Sequence, residues 1–263
     1  MQRILLLGSG ASGSTLLEMA LALSPEVTAL GEVSEFARVS PHQHACTCGV
    51  LFADCPLWGP LLADAARDGC SGSTFLARAI ARASELEGTR FCVSSVKNER
   101  ALADERSLGL DGTRAIYLVR HPCAYVYSWI ISGFELEHVL CAWVREQERT
   151  LAFLEEAEAA GVPTSTVRYE DLARDPGSAL ARLGAFIGVA GPFGEREVPW
   201  DWSRAPWGRR QHVLCGAPWR LSGKPDVIRE DERWRLALRP SAQAEVLRAC
   251  RPLLQKLGYA DES

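Results

Sequence analysis

Between Leu5 and Leu17 the chain reads LLLGSGASGSTLL. Gly8, Gly10 and Gly13 alternate with Ser9, Ala11, Ser12, Ser14 and Thr15. Small residues in this order suit one kind of chemistry. They leave backbone N–H groups bare, and those groups cradle a phosphate at a helix N-terminus, where the helix dipole favours negative charge. The spacing is that of a phosphate-binding loop, G-x-x-x-x-G-[K]-[ST], with Ser14 at the lysine position. A nucleoside-triphosphate enzyme wants that lysine on the β- and γ-phosphates. Its absence argues against an ordinary ATPase or kinase and for another phosphate-bearing ligand. The plainer alternative is a tight strand-to-helix turn that needs glycine for positive φ.

Three more charged residues stand where short apolar runs end: Glu32 after VTALG, Lys97 after FCVSSV and Arg120 after RAIYLV. A carboxylate, a lysine and an arginine at successive strand ends converge on the side of the sheet that carries the phosphate turn, because open parallel sheets bind ligands beyond their carboxyl ends. That is a group-transfer site in outline. A different constellation lies in HQHACTCGVLFADC: His42, His44, Cys46, Cys48 and Cys55. These residue types ligate zinc, but C-x-C-x₆-C is not a standard zinc spacing, and no metal is assigned from it.

The elements that must hold these residues follow from hydrophobic periodicity. Strands are expected at Ile4–Leu7, Val27–Glu32, Phe91–Val96, Arg114–Val119 and Thr164–Val167. Helices are expected at about 14–23, 57–67, 73–87, 98–107, 122–131, 136–160, 176–187 and 241–257. Pro122 suits the first turn of its helix. Strands alternating with helices predict an α/β fold, a central parallel sheet flanked by helices and built like a P-loop nucleotide-binding protein. The stretch from Gly188 to Glu232, rich in Trp, Pro, Gly and Arg, is expected to loop over a site. With 263 residues, no repeat and no low-complexity linker, one domain over 1–263 is the economical reading. A net charge of −4 gives no global signature for nucleic acid, so cations for an anionic ligand must be placed locally. No apolar run is long enough for a membrane span, and the N-terminal run is too short for a signal peptide, so a cytoplasmic protein is expected. Nine cysteines, an odd number scattered through the elements, do not read as a disulfide framework.

Taken together, GSGASGSTLL, YLVRHPCAYVYSWI and VRYEDLARDPGSALARLGAFIGV resemble sulfotransferases that use 3′-phosphoadenosine 5′-phosphosulfate (PAPS). The first stretch is similar to that family's 5′-phosphosulfate loop. The second is similar to its 3′-phosphate motif, an Arg and a Ser eight residues apart, here Arg120 and Ser128. The resemblance spans about residues 3 to 257 and implies sulfuryl transfer from PAPS, with 3′-phosphoadenosine 5′-phosphate (PAP) as product. It implies that Ser9, Gly10, Ala11, Ser12, Gly13, Ser14 and Thr15 hold the 5′-phosphosulfate and that Arg120 and Ser128 hold the 3′-phosphate. By likeness to the tyrosylprotein members, Gly31-Glu32 supplies the general base, with His42 and His44 ranked behind Glu32. Lys97 matches a family lysine near the leaving oxygen. HVLCGAPWRL resembles a closing loop, G-N-P-x-R, in which Ala217 replaces Asn and Arg220 supplies the cation. Trp202, Trp207 and Trp219 are candidates to stack on adenine or acceptor.

One departure bears on activity: the family's basic residue in the first loop is Ala11 here, and Arg38, Arg100 or Lys97 would have to replace it. The acceptor, a small molecule, carbohydrate or lipid, stays open, as does the oligomeric state. A P-loop kinase and a non-catalytic PAPS- or PAP-binding protein stand as alternatives.

Overall fold

Five short segments pair side by side, all parallel, in the computed structural model, which describes residues 1–191, 211–221 and 228–259. They are β1 (Gln2–Leu7), β2 (Val27–Gly31), β3 (Phe91–Val96), β4 (Thr113–Val119) and β5 (Thr164–Arg168), in the order β2-β3-β1-β4-β5. Successive side chains of β1 point to opposite faces, and the two faces have separate cores. Leu5 and Leu7 pack with Tyr117 and Val119 against α5 (Pro122–Ile130), α6 (Leu136–Ala159) and α10 (Pro240–Lys256). Ile4 and Leu6 pack with Ile116 and Leu118 against α1 (Ser14–Leu21) and α8 (Pro176–Ile187). Burial on both faces explains why β1 to β4 show no polar–apolar alternation, whereas β5, TSTVR, is only half-buried.

A third core lies beyond the β2 edge. Leu30 and Val33 meet Phe52, Leu57 and Trp58, with Trp58 opening α2 (Trp58–Asp68), and Phe75 of α3 (Gly72–Glu87). The irregular stretch expected from Ser40 to Pro60 contributes Cys46, Phe52 and Cys55 to this core without any regular period. Residues 211–214 run alongside β2 as a strap: His212 N–H donates to Ala29 O (2.9 Å) and Leu214 N–H to Leu30 O (2.9 Å).

The expected helices and strands form, with boundaries shifted by a residue or two. Five pieces among the described residues were not read. Val33–Arg38, Phe52–Asp54 and Pro218–Leu221 are 3-10 helices; α7 (Tyr169–Arg174) follows β5 directly; α9 (Arg233–Ala237) precedes α10. Each is six residues or fewer, too short for a 3.6-residue period to show in sequence. Strand order was also beyond the periodicity. β1 lies between β3 and β4, and the chain leaves β1 toward one edge and β4 toward the other, so the crevice opens where β1 and β4 end.

Candidate active site

The phosphate turn leaves β1 and enters α1 through Gly13, whose φ of 93° lies in the left-handed region. Among the described residues no side chain caps α1, and its first turn holds no acidic residue. Its leading N–H groups are therefore suited to an anion. Asn98 and Asp175 do cap their helices, α4 (Glu99–Leu108) and α8. A Cβ on Gly10 would lie 2.8 Å from the Trp129 ring, and one on Gly13 would lie 2.7 Å from the Tyr169 ring. Both glycines are thus needed for close packing of the turn between two aromatic rings. Ala11 adopts φ 59° and is exposed.

A cleft of about 510 Å³ opens at this turn. Gly10, Ala11, Gly13, Ser14 and Thr15 line its floor, Arg120 and Ser128 one side, Glu32 and Lys97 another. Nine of the residues singled out by sequence are therefore brought to one cavity. Ser9 and Ser12 are not among its lining: both are buried, and the Ser12 hydroxyl has no hydrogen-bond partner among the described residues.

Arg120 is buried at the end of β4, where its guanidinium donates to Ala11 O (2.7 Å) and to Ser128 Oγ (3.3 Å). It lies 4.8 Å from the Tyr169 ring centroid and 3.3 Å from Asp231. Its Nε has no partner among the described residues. The hydrogen bonds that Arg233 donates to Asp231 hold the Asp231 carboxyl below its ordinary range, so this carboxylate stays ionised beside Arg120. His121 and Pro122 turn the chain sharply into α5: His121 Nδ1 accepts from Cys123 N–H (3.2 Å), and burial lowers its pKa to about 4.

Across the cleft, Lys97 Nζ donates to Glu32 Oε1 at 2.6 Å. Each side chain is less than a fifth exposed, so the pair is positioned and only partly solvated. Arg149 of α6 donates to Lys97 O (3.2 Å). Behind Glu32 sits Glu18, which sequence reading did not single out. Its carboxyl accepts from Gly31 N–H (2.6 Å) and Ser95 Oγ–H (2.7 Å) and so ties the end of β2 to α1 and β3. Complete burial pushes its pKa up to about 7. The available signal was a lone carboxylate inside an apolar helix, STLLEMAL. Trp129, Tyr169 and Asp231 were likewise missed; the first two lie in the matched stretches, but only their contacts with Gly10, Gly13 and Arg120 give them a place here.

The late segment does reach the turn. Ala217 N–H donates to Thr15 Oγ1 (3.1 Å), and Gly216, Ala217, Pro218 and Trp219 line the cleft. Arg220 does not line it; its guanidinium turns back to Gly216 O (3.5 Å) and Ala217 O (3.4 Å). Of the three tryptophans considered for stacking, Trp219 lies in the cleft, while Trp202 and Trp207 lie outside the described residues. His42 and His44 are exposed and away from the cleft, with His44 Nδ1 accepting from Ser40 N–H (3.1 Å). Arg38 pairs with Glu35, and Arg100 lies over the Phe36 ring. Of the three cations considered as a substitute for the one missing at Ala11, Lys97 alone lines the cleft.

No protein-family model matches the chain, and no curated protein matches it. Solved structures do. The chain is similar to the sulfotransferase domain from the curacin biosynthetic pathway, with 19% identity, a TM-score of 0.57 and coverage of 96% of this chain and 98% of that one. It is similar to a mouse sulfotransferase complexed with PAP (14% identity, TM-score 0.57, 98% and 89% covered). Retinol dehydratase, in complex with androsterone and the inactive cofactor PAP, matches at 14% identity and a TM-score of 0.54, with 96% and 80% covered. These likenesses show that the fold is the one sulfotransferases have. No helix among the described residues is long and apolar enough to cross a membrane.

Proposed function

We propose that the chain is a PAPS-dependent sulfotransferase, one domain over residues 1–263, that moves a sulfuryl group to a hydroxyl or amine of a small-molecule, carbohydrate or lipid acceptor. One observation carries the reading. An uncapped helix N-terminus without the triphosphate lysine shares a cleft with a buried Arg120–Ser128 pair on one side and a Glu32–Lys97 pair on the other. The donor fits these residues. The α1 N-terminus at the turn suits an anion, and the Arg120 guanidinium beside it carries a fork suited to a phosphate. The sulfotransferase-fold proteins solved with PAP support the choice of nucleotide.

In the proposed reaction the acceptor oxygen or nitrogen attacks sulfur in line. The S–O bond to the 5′-phosphate breaks, and PAP leaves with that bonding pair. Glu32 takes the acceptor proton, a role typically worth about 10²–10⁴ in rate. Lys97 and the loop N–H groups stabilise the negative charge that grows on the departing oxygen. Gln in place of a general base at 32 keeps the shape and loses the proton acceptor.

Calorimetry with PAP and ADP, paired with transfer from labelled PAPS, tests the proposal. Tight PAP binding, weak ADP binding and label transfer are expected; equal affinity for the two nucleotides would sink it. Ala11 favours one second reading, a PAP-binding protein without turnover. Tight PAP binding with no transfer to any acceptor or to water would select that reading.

A further inference from the structure

Outside the cleft, behind the β2 edge, four potential metal ligands meet: Cys46, Cys48, Cys55 and His212. Cys46, Cys55 and His212 are each about 1% exposed, and all four ligand atoms lie within 4.8 Å of one another. We propose that this cluster is a Cys₃His zinc site that locks the 211–214 strap onto the 46–55 loop. The inference does not depend on the sulfuryl-transfer reading.

The separations are those of a tetrahedron's edges. With metal–sulfur bonds of about 2.3 Å and metal–nitrogen bonds of about 2.0–2.1 Å, tetrahedral angles put sulfurs about 3.8 Å apart and nitrogen about 3.5 Å from sulfur. Cys46 and Cys55 Sγ are 3.7 Å apart, as are Cys48 and Cys55 Sγ. His212 Nδ1 lies 3.3 Å from Cys55 Sγ and 3.8 Å from Cys46 Sγ. None of these sulfur pairs is at the roughly 2.05 Å of a disulfide.

The surroundings supply what a zinc site needs next. His212 Nε2 lies 3.2 Å from Glu87 Oε1, so Nε2–H donates to the carboxylate and the Nδ1 lone pair faces the sulfurs. A carboxylate behind the ligating imidazole fixes its tautomer and raises its basicity. Trp58 N–H points at Cys55 Sγ (3.5 Å), a donor to thiolate charge. Thiolate and imidazole donors in a four-coordinate set select Zn²⁺ over Mg²⁺ or Ca²⁺, and a closed set of four leaves no open position for catalysis. Binding displaces the protons of the thiols as zinc–thiolate bonds form, and no oxidation is involved.

What the site would hold is specific. Thr47 Oγ–H donates to Gln211 O (2.8 Å) and accepts from Val213 N–H (2.9 Å), and Trp58 Nε1–H donates to His212 O (2.6 Å). Four residues on, Gly216 begins the segment that lines the cleft. The metal would therefore anchor the cleft's closing segment to the loop that packs behind β2.

The test uses the full chain purified without chelator. Elemental analysis is expected to find one zinc per chain. Cobalt(II) exchanged into the protein is expected to give the intense absorption of tetrahedral thiolate coordination, including sulfur-to-metal charge transfer. Cys48→Ser and His212→Gln should lose most of the bound zinc. Glu87→Gln, which leaves all four ligands, should weaken zinc retention about 10–100-fold in chelator competition. If the ligand variants fail to fold, the wild-type metal content and cobalt spectrum still decide. A folded, metal-free wild type that takes up neither zinc nor cobalt, with its thiols titrating freely, would overturn the proposal and leave a hydrogen-bonded thiol cluster. Full zinc retention in Cys48→Ser or His212→Gln would overturn the ligand assignment.

Discussion

The two walls of the cleft are built differently. In the proposed reading, the phosphate wall comes from consecutive residues, Gly8 to Thr15, and would act through backbone N–H groups. Arg120, Ser128, Trp129, Tyr169 and the late Gly216–Trp219 segment join it from elsewhere. The opposite wall is a relay of distant pieces. Glu32 stands at the end of β2, β2 is tied by Glu18 and flanked by the 211–214 strap, and the strap rests on Cys46, Cys55 and Glu87. In the proposed reaction, a wall that holds the nucleotide can be local because main-chain donors need only a turn of the right shape. A wall that accepts the proton needs one side chain held in place, and around Glu32 that takes packing from four parts of the chain. Damage to the first wall should therefore appear in nucleotide affinity, and damage to the second in turnover.

Glu32→Gln sharpens this contrast most. Turnover should fall by about 10²–10⁴, while PAP affinity measured by calorimetry stays close to wild type. A variant keeping more than about a tenth of the rate, a loss well short of that range, would remove Glu32 from proton transfer.

Gly31→Ala attacks the same wall from behind. Gly31 has φ 81°, and a Cβ there would lie 2.5 Å from Leu214 N. The strained backbone alone costs about 1–3 kcal/mol, and the strap must also move. Thermal unfolding should report the loss, and turnover should drop more than PAP affinity does. Equal losses in both would blur the division between the walls.

Arg120→Ala tests the other wall. It should weaken PAP by about 1.5–3 kcal/mol, the scale of a hydrogen bond to a charged group, and leave ADP nearly unaffected, as competition calorimetry would show.

A pH series addresses Glu18. Burial raises its pKa from 4.5 to about 7 in the folded chain. The folded state then holds a proton that the unfolded state releases, so this group's contribution is complete below pH 4.5 and fades as pH rises to about 7. Glu105, buried beside Arg3 and raised to about 7 by desolvation, acts with the same sign. Denaturant titrations should show stability falling across this interval by on the order of 1–3 kcal/mol, with a shallower slope in Glu18→Gln. An unchanged slope would mean that Glu18 stays ionised throughout.

Ala11→Lys is the smallest change expected. Position 11 already carries a Cβ at φ 59° and faces solvent, so stability should move by no more than about 0.5 kcal/mol. Turnover should hold or rise. A collapse with PAP binding intact would mean that Lys97 already fills the space for that charge.

What could be read without coordinates was whatever depends on neighbours in the chain. The phosphate turn is a run of small residues between an apolar strand and a helix start, and each of those signals lies within a dozen positions. Glu32, Lys97 and Arg120 were legible for a related reason: parallel strands put their carboxyl ends on one side, so residues that end apolar runs must gather there. Side-chain direction was not legible. Arg220 carries the right charge in a segment that does reach the turn, but its guanidinium bonds its own loop. Glu18 looked like one more helix residue until Gly31 and Ser95 were seen to converge on it. The cysteine segment shows the limit most clearly. Cys46, Cys48 and Cys55 stood out at once, yet the nearest histidines in sequence, His42 and His44, are exposed and turned elsewhere. The imidazole that completes the cluster lies 157 residues beyond Cys55. A turn's shape is decided by adjacent φ and ψ angles, so sequence alone determines it; a four-ligand cluster is decided by which surfaces pack across the β2 edge, and only the folded chain brings His212 there.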